Sequence, residues 1–345
     1  MKAIIKSEPA PGVSLADMPE PAPGPGEVLF APEITSVCGS DVTMDRWEGW
    51  APRIITEFPF VLGHECCGRV LDVGKEVAEI RPGDRISVET HISCGSCWYC
   101  RNGRAHVCAR MVTFGVTANG CFAEQAVVSQ RAVWKVDPEI QTEHAALLEP
   151  LGVALRAADT VSLQGLPVAI VGAGPIGLLA ATVASTRSPD HLIVIEPNPS
   201  RRALARAAGA NLVVDPGAQD PAKTILELTD GVGVEVVIEC SGHPEAILKS
   251  IDYTRTGGHL VQVGNAHAPV AIDVTAQIIM KELQIHGVWG RRLWESWEAA
   301  ERFLIDFPSK IAPLITKTYA LSDGLEAFVS AGDGHEGKIL IRNEP

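Results

Sequence analysis

Hydrophobic positions along this 345-residue chain follow two rhythms. Up to about residue 150 they form short β-type runs at 27–34, 68–73 and 85–89, cut by Pro and Gly, which predicts a β-rich domain. From about 168 to 288 the rhythm changes to apolar strands alternating with helical segments. The strands fall at 168–171, 192–196, 212–214, 234–239, 259–263 and 283–288, and this alternation predicts a doubly wound parallel sheet of the α/β class. A helix-like segment at 294–304 and a strand at 338–342 close the chain. With no sheet left unfinished in the middle, this tail is expected to return to the first domain, so 1–150 and 291–345 form one domain and 151–290 the other. Two cores also suit a chain of this length.

The most apolar stretch, 168–184, is interrupted by Gly172, Gly174, Pro175 and Gly177 and is shorter than the ~20 residues a bilayer requires. A strand, a glycine turn and a helix explain it. Composition adds an ordinary globular balance, 46% hydrophobic and 21% charged. Acidic residues outnumber basic ones by 42 to 29, for a net charge of −13. That field repels a polyanion, so nucleic acid is not an expected partner. The first residues read as the strand Lys2-Ala3-Ile4-Ile5-Lys6 rather than the apolar core of a signal peptide, so the cytoplasm is expected, with no membrane partner. In a reducing compartment the nine cysteines point to metal binding or catalysis rather than disulfides.

Residues 168–179 read VAIVGAGPIGLL, which sets Gly172, Gly174 and Gly177 in G-x-G-x-x-G order between a predicted strand and helix, with Pro175 and Ile176 opening the helix. The first glycine permits a tight turn, the second lets the backbone approach a pyrophosphate, and the third allows helix to pack on strand. The phosphates then sit on the helix N-terminus, where free N–H groups favour an anion. Alone, such a fingerprint also matches a plain strand-turn-helix. Glu196, ending the next strand, adds a carboxylate that accepts from ribose hydroxyls and repels a 2′-phosphate, which favours NAD over NADP. Arg201 and Arg202 stand nearby, as phosphate partners, as an adenine stack or as a solvated helix start. Val263, Gly264 and Val288 follow the last two strands, at the sheet edge where the nicotinamide is expected.

Cys94, Cys97, Cys100 and Cys108 form C-x2-C-x2-C-x7-C in a polar, turn-rich segment. Four thiolates close a tetrahedron on zinc and leave no place for substrate, so this site is expected to be structural. A second, scattered set comprises Cys38, the pair His64-Glu65 and Glu149. A catalytic zinc keeps three protein ligands and one open position, which a thiolate, an imidazole and a carboxylate satisfy. Cys38 and His64 are the firmest ligands, while Glu65 and Glu149 both stand as the third. Ser40 is placed either to relay a proton from the bound alcohol or to cap a helix.

These motifs, with GHECCGRVLDVGKEVAEIRPGDRI at 63–86, resemble the zinc-containing medium-chain dehydrogenases over essentially the whole chain. The resemblance implies a GroES-like catalytic domain, a Rossmann domain, zinc in a catalytic and a structural site, NAD, and a homo-oligomer, tetramer or dimer. Segments 47–50, 91–94, 120–124 and 290–297 are most similar to the threonine 3-dehydrogenase branch, with sorbitol dehydrogenases next. It further implies a zinc site of Cys38, His64 and Glu65, with Glu149 able to approach or exchange onto the metal. Both branches commonly carry a histidine five residues after the zinc cysteine, where this chain has Thr43; His91 is a candidate for part of that role. A small polar secondary alcohol is the expected substrate, and Arg291 or Arg292 is a candidate partner for a substrate carboxylate, with a surface or cofactor-phosphate role standing equally beside it. Two non-enzymatic readings stand beside this one, a zinc-ribbon interaction protein and an NAD-binding regulator without catalysis. The acidic charge and the separate glycine motif weigh against the first, and Cys38, His64 and Ser40 against the second.

Overall fold

A computed structural model of the protein describes residues 1–343. The strand Glu27–Ser36 organises the first half. Its side chains alternate half-buried and buried over most of its length, and its last residues, Thr35 and Ser36, are both buried, so the chain enters the interior at Val37 and Cys38. This strand pairs antiparallel with Glu65–Val73, with Ala126–Ser129 and with Lys338–Arg342. Backbone hydrogen bonds thus tie Lys338–Arg342, near the end of the chain, to a strand of its first half. The strand Ile315–Ala320 extends the same sheet, parallel to Lys338–Arg342. The sequence pattern did not reveal it, because its burial lacks a clean two-residue alternation.

The middle of the chain forms a six-stranded parallel sheet in the order Leu212–Val214, His191–Ile195, Pro167–Val171, Val234–Glu239, Thr254–Gln262, Gln284–Gly287. This is the doubly wound arrangement, and its order reverses beside Pro167–Val171, the switch point at which folds of this kind bind ligands. All six strands lie at the expected positions. Thr254–Gln262 begins before residue 259 because its leading part, through Gly257 and Gly258, pairs across a register irregularity opposite Val234 and Val236. Glycine-rich, non-alternating sequence hides such a start.

The helix Leu148–Ala158 is buried along most of its length and joins the two halves. It shares a core with the helix Pro175–Ser185, nearly all of which is buried, and with Trp297 of the helix Glu295–Asp306. Residue 150, the expected domain limit, thus lies within a helix. Among the described residues no helix is long and apolar enough to cross a membrane.

Candidate metal centres and dinucleotide turn

Two strand ends build the first centre. Cys38 follows the inward-running end of Glu27–Ser36, and Glu65 opens Glu65–Val73 in register with Ser36. Ligand atoms of Cys38, His64 and Glu65 all lie within 4.8 Å of one another. The Glu65 side chain is fully buried; its Oε2 accepts from Ser36 Oγ and from Lys338 Nζ. Ser40 Oγ lies 3.4 Å from His64 Nε2, and Asp41 Oδ1 lies 3.6 Å from His64 Nδ1. Burial by itself lowers the basicity of His64, but Asp41 and Cys38 reverse this and raise it well above the usual value. Burial pushes the Asp41 carboxyl up to about 6, against the pull of His64.

Three buried atoms here, Glu65 Oε1, His64 Nδ1 and Asp41 Oδ1, have no hydrogen-bond partner. Leaving buried polar atoms unpaired is costly. Cys38, His64 and Glu65 would hold a divalent cation through thiolate, imidazole and carboxylate, which would give Glu65 Oε1 a partner and leave His64 Nδ1 facing Asp41. The donor set therefore fits a metal. Asp41 sits in the Cys38–Asp41 segment but carries no spacing signal, and sequence reasoning left it without a role.

Glu149, the other carboxylate proposed from sequence, stands outside that group. Its Oε1 accepts from Thr90 Oγ1 at 2.6 Å and pairs with Arg291 Nη1 at 2.6 Å. Arg291 is 1% exposed, and its remaining donors reach Glu89 at 2.8 and 2.5 Å. With its guanidinium occupied on both sides, Arg291 has no free face for a substrate carboxylate, so that sequence expectation is corrected. Arg292 is exposed and lies 3.8 Å from Glu295. Glu89 also accepts from Trp297 Nε1 and from the backbone of His91. The His91 ring lies against Trp289, with centroids 5.9 Å apart. It fills the space above Gly290, where a Cβ would come within 2.3 Å of it. Thr43 donates to the Gly39 carbonyl in its own helix.

The second centre is local in sequence. Sγ–Sγ separations are 3.4 Å for Cys97–Cys100, 3.8 Å for Cys97–Cys108 and 4.0 Å for Cys94–Cys100. A zinc tetrahedron with bonds near 2.3 Å has edges of about 3.8 Å, whereas a disulfide needs about 2.05 Å. The four sulfurs fit a closed zinc shell. Backbone N–H groups, Ser96 first, and the Arg110 guanidinium lower the Cys94 thiol to about 5. Burial and the neighbouring thiols push Cys100 up to about 11. That opposition is relieved when a dication lets every sulfur ionise.

In the dinucleotide turn each glycine has its own constraint. Gly172 has φ +86°, with Ser241 3.0 Å from where a Cβ would sit. A Cβ on Gly177 would fall 1.9 Å from the Gly172 carbonyl. At Gly174 the nearest atom is Arg201 Nη1 at 3.9 Å, so the space above it is open. Gly174 also precedes Pro175–Ser185 without a side-chain cap, which leaves N–H groups free for an anion. Glu196 ends the neighbouring strand with its carboxylate accepting from Ala173 N at 2.6 Å and Asn198 N at 2.8 Å. The structure thus places Glu196 against the glycine turn. Arg201 spans from Gly174 toward the Glu336 carbonyl, while Arg202 pairs with Asp215 at 2.9 Å. Val263, Gly264 and Val288 follow the carboxyl ends of their strands, and Gly264 N–H donates to the Glu239 carbonyl.

Residues 24–138 match the alcohol dehydrogenase GroES-like domain and residues 175–306 the zinc-binding dehydrogenase domain. An L-threonine 3-dehydrogenase of Thermococcus kodakarensis is 40% identical over 99% of this chain and 97% of its own length. Among solved structures, the 2R,3R-butanediol dehydrogenase of Bacillus subtilis has a TM-score of 0.89 at 28% identity, covering 99% of both chains. A Sinorhizobium meliloti protein described as a zinc-binding dehydrogenase, solved bound to NADP, has a TM-score of 0.89 at 29% identity, covering 99% of this chain and 98% of its own.

Proposed function

This chain belongs to the zinc-binding dehydrogenases with an alcohol dehydrogenase GroES-like domain, and from that premise we propose that it oxidises a secondary alcohol on a small polar molecule with NAD, L-threonine first. The observation that carries this reading is the convergence of Cys38, His64 and Glu65, with the Glu65 Oε1 atom buried and unpaired, in a chain 40% identical to a threonine dehydrogenase. Vicinal polyols form the second reading. It is favoured by the likeness to a butanediol dehydrogenase, while Thr43, in place of a histidine common to both branches, weakens the threonine assignment without favouring polyols.

Cys38, His64 and Glu65 would hold the catalytic zinc, with Glu149 able to approach when its pairing to Arg291 loosens; Cys94, Cys97, Cys100 and Cys108 would hold a structural one. Zinc supplies a Lewis acid for the substrate oxygen, and the nicotinamide supplies the hydride acceptor. The chain's own part is to orient and to move a proton. Ser40 Oγ, against His64, takes the alcohol proton toward solvent. Gly172, Gly174, Pro175, Ile176 and Gly177 cradle the pyrophosphate, Glu196 turns from Ala173 N–H to the ribose hydroxyls, and Arg201 covers the adenosine end. Val263, Gly264 and Val288 back the nicotinamide. One relative in structure is bound to NADP, so the choice of NAD rests on Glu196.

Residues 1–150 and 291–345 form the catalytic domain in this reading, and 151–290 the NAD domain. Exposed Ile285 within the outer strand Gln284–Gly287, with exposed Ile279 and Met280 just before it in the chain, supports a homo-oligomer, dimer or tetramer. The nine free cysteines suit the cytoplasm. The deciding assay compares kcat/KM with NAD across L-threonine, sorbitol, ribitol, 2,3-butanediol and a bulky cyclic alcohol. Threonine is expected to lead, followed by the diols; efficient turnover of the cyclic alcohol alone overturns the polar-substrate reading.

A further inference from the structure

The strand that returns from the end of the chain brings a buried cation to the metal centre. Lys338 opens Lys338–Arg342, two residues before Leu340, which pairs with Ser36; Ser36 in turn pairs with Glu65. Three adjacent strands therefore deliver Lys338, Ser36 and Glu65 to one point, and all three side chains are 0–1% exposed. Lys338 Nζ donates to Glu65 Oε2 and, at 3.1 Å, to the carbonyl of Val37, the residue before Cys38. Ser36 Oγ donates to the same Glu65 oxygen. The other oxygen, Oε1, is buried and unpaired, and Glu65 faces Cys38 and His64 within ligand distance.

We propose that Lys338 is a positioning residue for the catalytic metal, fixing Glu65 as a one-oxygen ligand and bracing the backbone that carries Cys38. The proposal rests on reading Cys38, His64 and Glu65 as a metal centre. The geometry divides the carboxylate into two jobs. With Oε2 occupied by an ammonium and a hydroxyl, rotation of the carboxylate into a two-oxygen grip on the metal would break two buried hydrogen bonds, which are costly to lose. Only Oε1 remains to coordinate, which keeps the metal's coordination number low and leaves room for substrate. Lys338 also offsets one of the two negative charges that Cys38 and Glu65 bring to the site. With the Asp41 carboxyl also beside His64, the lysine keeps the filled site from carrying a net negative charge. Partners that orient metal ligands in this way typically change metal affinity by about 10–100-fold.

The test uses the full chain purified with zinc, with Lys338→Met to remove the cation at similar length and Ser36→Ala to remove the hydroxyl without stranding a charge. Zinc per chain, the rate of zinc transfer to a chromogenic chelator, and the visible spectrum of protein with cobalt at the catalytic site are measured beside kcat and KM. Lys338→Met is expected to release one zinc about tenfold faster or more, to alter the cobalt spectrum and to lower kcat more than it raises KM. The other zinc stays with the four-cysteine cluster. Ser36→Ala is expected to shift the release rate and the spectrum in the same direction by less, which keeps the test open if Lys338→Met folds poorly. Folded Lys338→Met, or Ser36→Ala if only that folds, with wild-type release and a wild-type cobalt spectrum overturns the proposal. So does equal acceleration at both metals, which marks a general loosening. Cys38→Ser separates the two ideas, since zinc content unchanged by that substitution removes the metal-centre reading itself and Lys338 with it.

Discussion

Glu196 holds two backbone N–H groups on a nearly fully buried carboxylate, one of them from the glycine turn. A ribose hydroxyl can substitute for such a donor, but a 2′-phosphate meets like charge in a site with little water to screen it. Changing Glu196 to Ser is expected to reduce the kcat/KM preference for NAD over NADP by about tenfold or more, equivalent to ~1.4 kcal/mol. Steady-state kinetics with both cofactors check this, and an unchanged ratio removes the role given to the carboxylate. The place of this carboxylate beside the glycine turn was legible in the sequence because the end of the second strand of a strand–glycine–helix unit lies next to that turn. Asp41 was not: its importance comes from lying 3.6 Å from His64, a distance no spacing in the chain encodes.

At the scale of the element, the glycine turn separates binding from folding. Gly174 has ordinary extended backbone and open space above it, so Gly174→Val should keep the thermal midpoint while weakening NAD binding, as its side chain fills the place where phosphates approach. Gly177→Val should instead destabilise the protein, because its Cβ would meet the Gly172 carbonyl at 1.9 Å. Thermal melts and cofactor titration distinguish the two; equal loss of midpoint in both contradicts the assignment. The cysteine sites divide in the same manner. Opening the four-sulfur shell with Cys97→Ser should lower the midpoint by about 5 °C or more, since each kcal/mol moves a domain of this size by roughly 2–4 °C. Cys38→Ser should abolish turnover with a smaller change in midpoint. Equal midpoints and equal residual turnover in the two variants contradict the division into closed and open sites.

Across the whole molecule, Arg291 ties three stretches of chain together through Glu89 and Glu149, with Trp297 and His91 donating to the same Glu89. Burial alone would raise the Glu89 carboxyl, but Arg291 overrides it and holds the group far below the usual carboxylate range. A folded-state pKa depressed in this way adds stability that is complete above the ordinary value of 4.5 and is lost as pH falls toward the folded value. Urea unfolding of the wild type should therefore weaken below about pH 4.5. Arg291→Met, which leaves two carboxylates buried without their cation, should be destabilised at pH 7 by about 3–5 kcal/mol and lose much of that acid dependence. A variant that unfolds like the wild type at pH 7 denies the network its role.

The sequence by itself determined what depends on short separations. The strand–glycine–helix turn, the four cysteines and the alternation that yields a parallel sheet are fixed within a few residues, so covalent spacing already dictates their geometry. It also supplied Cys38 and His64 as ligand types, with Glu65 and Glu149 as alternative carboxylates, since their flanking motifs are local. Which carboxylate faces Cys38 and His64 was decided only in three dimensions. Glu65 reaches that position through cross-strand register with Ser36, and Glu149 is drawn off by Arg291 from 142 residues away. Lys338, 273 residues from Glu65, is an ordinary strand lysine in the sequence. Only burial within one sheet, where a charge must find its partner or pay the cost of desolvation, gives it a place at the metal centre.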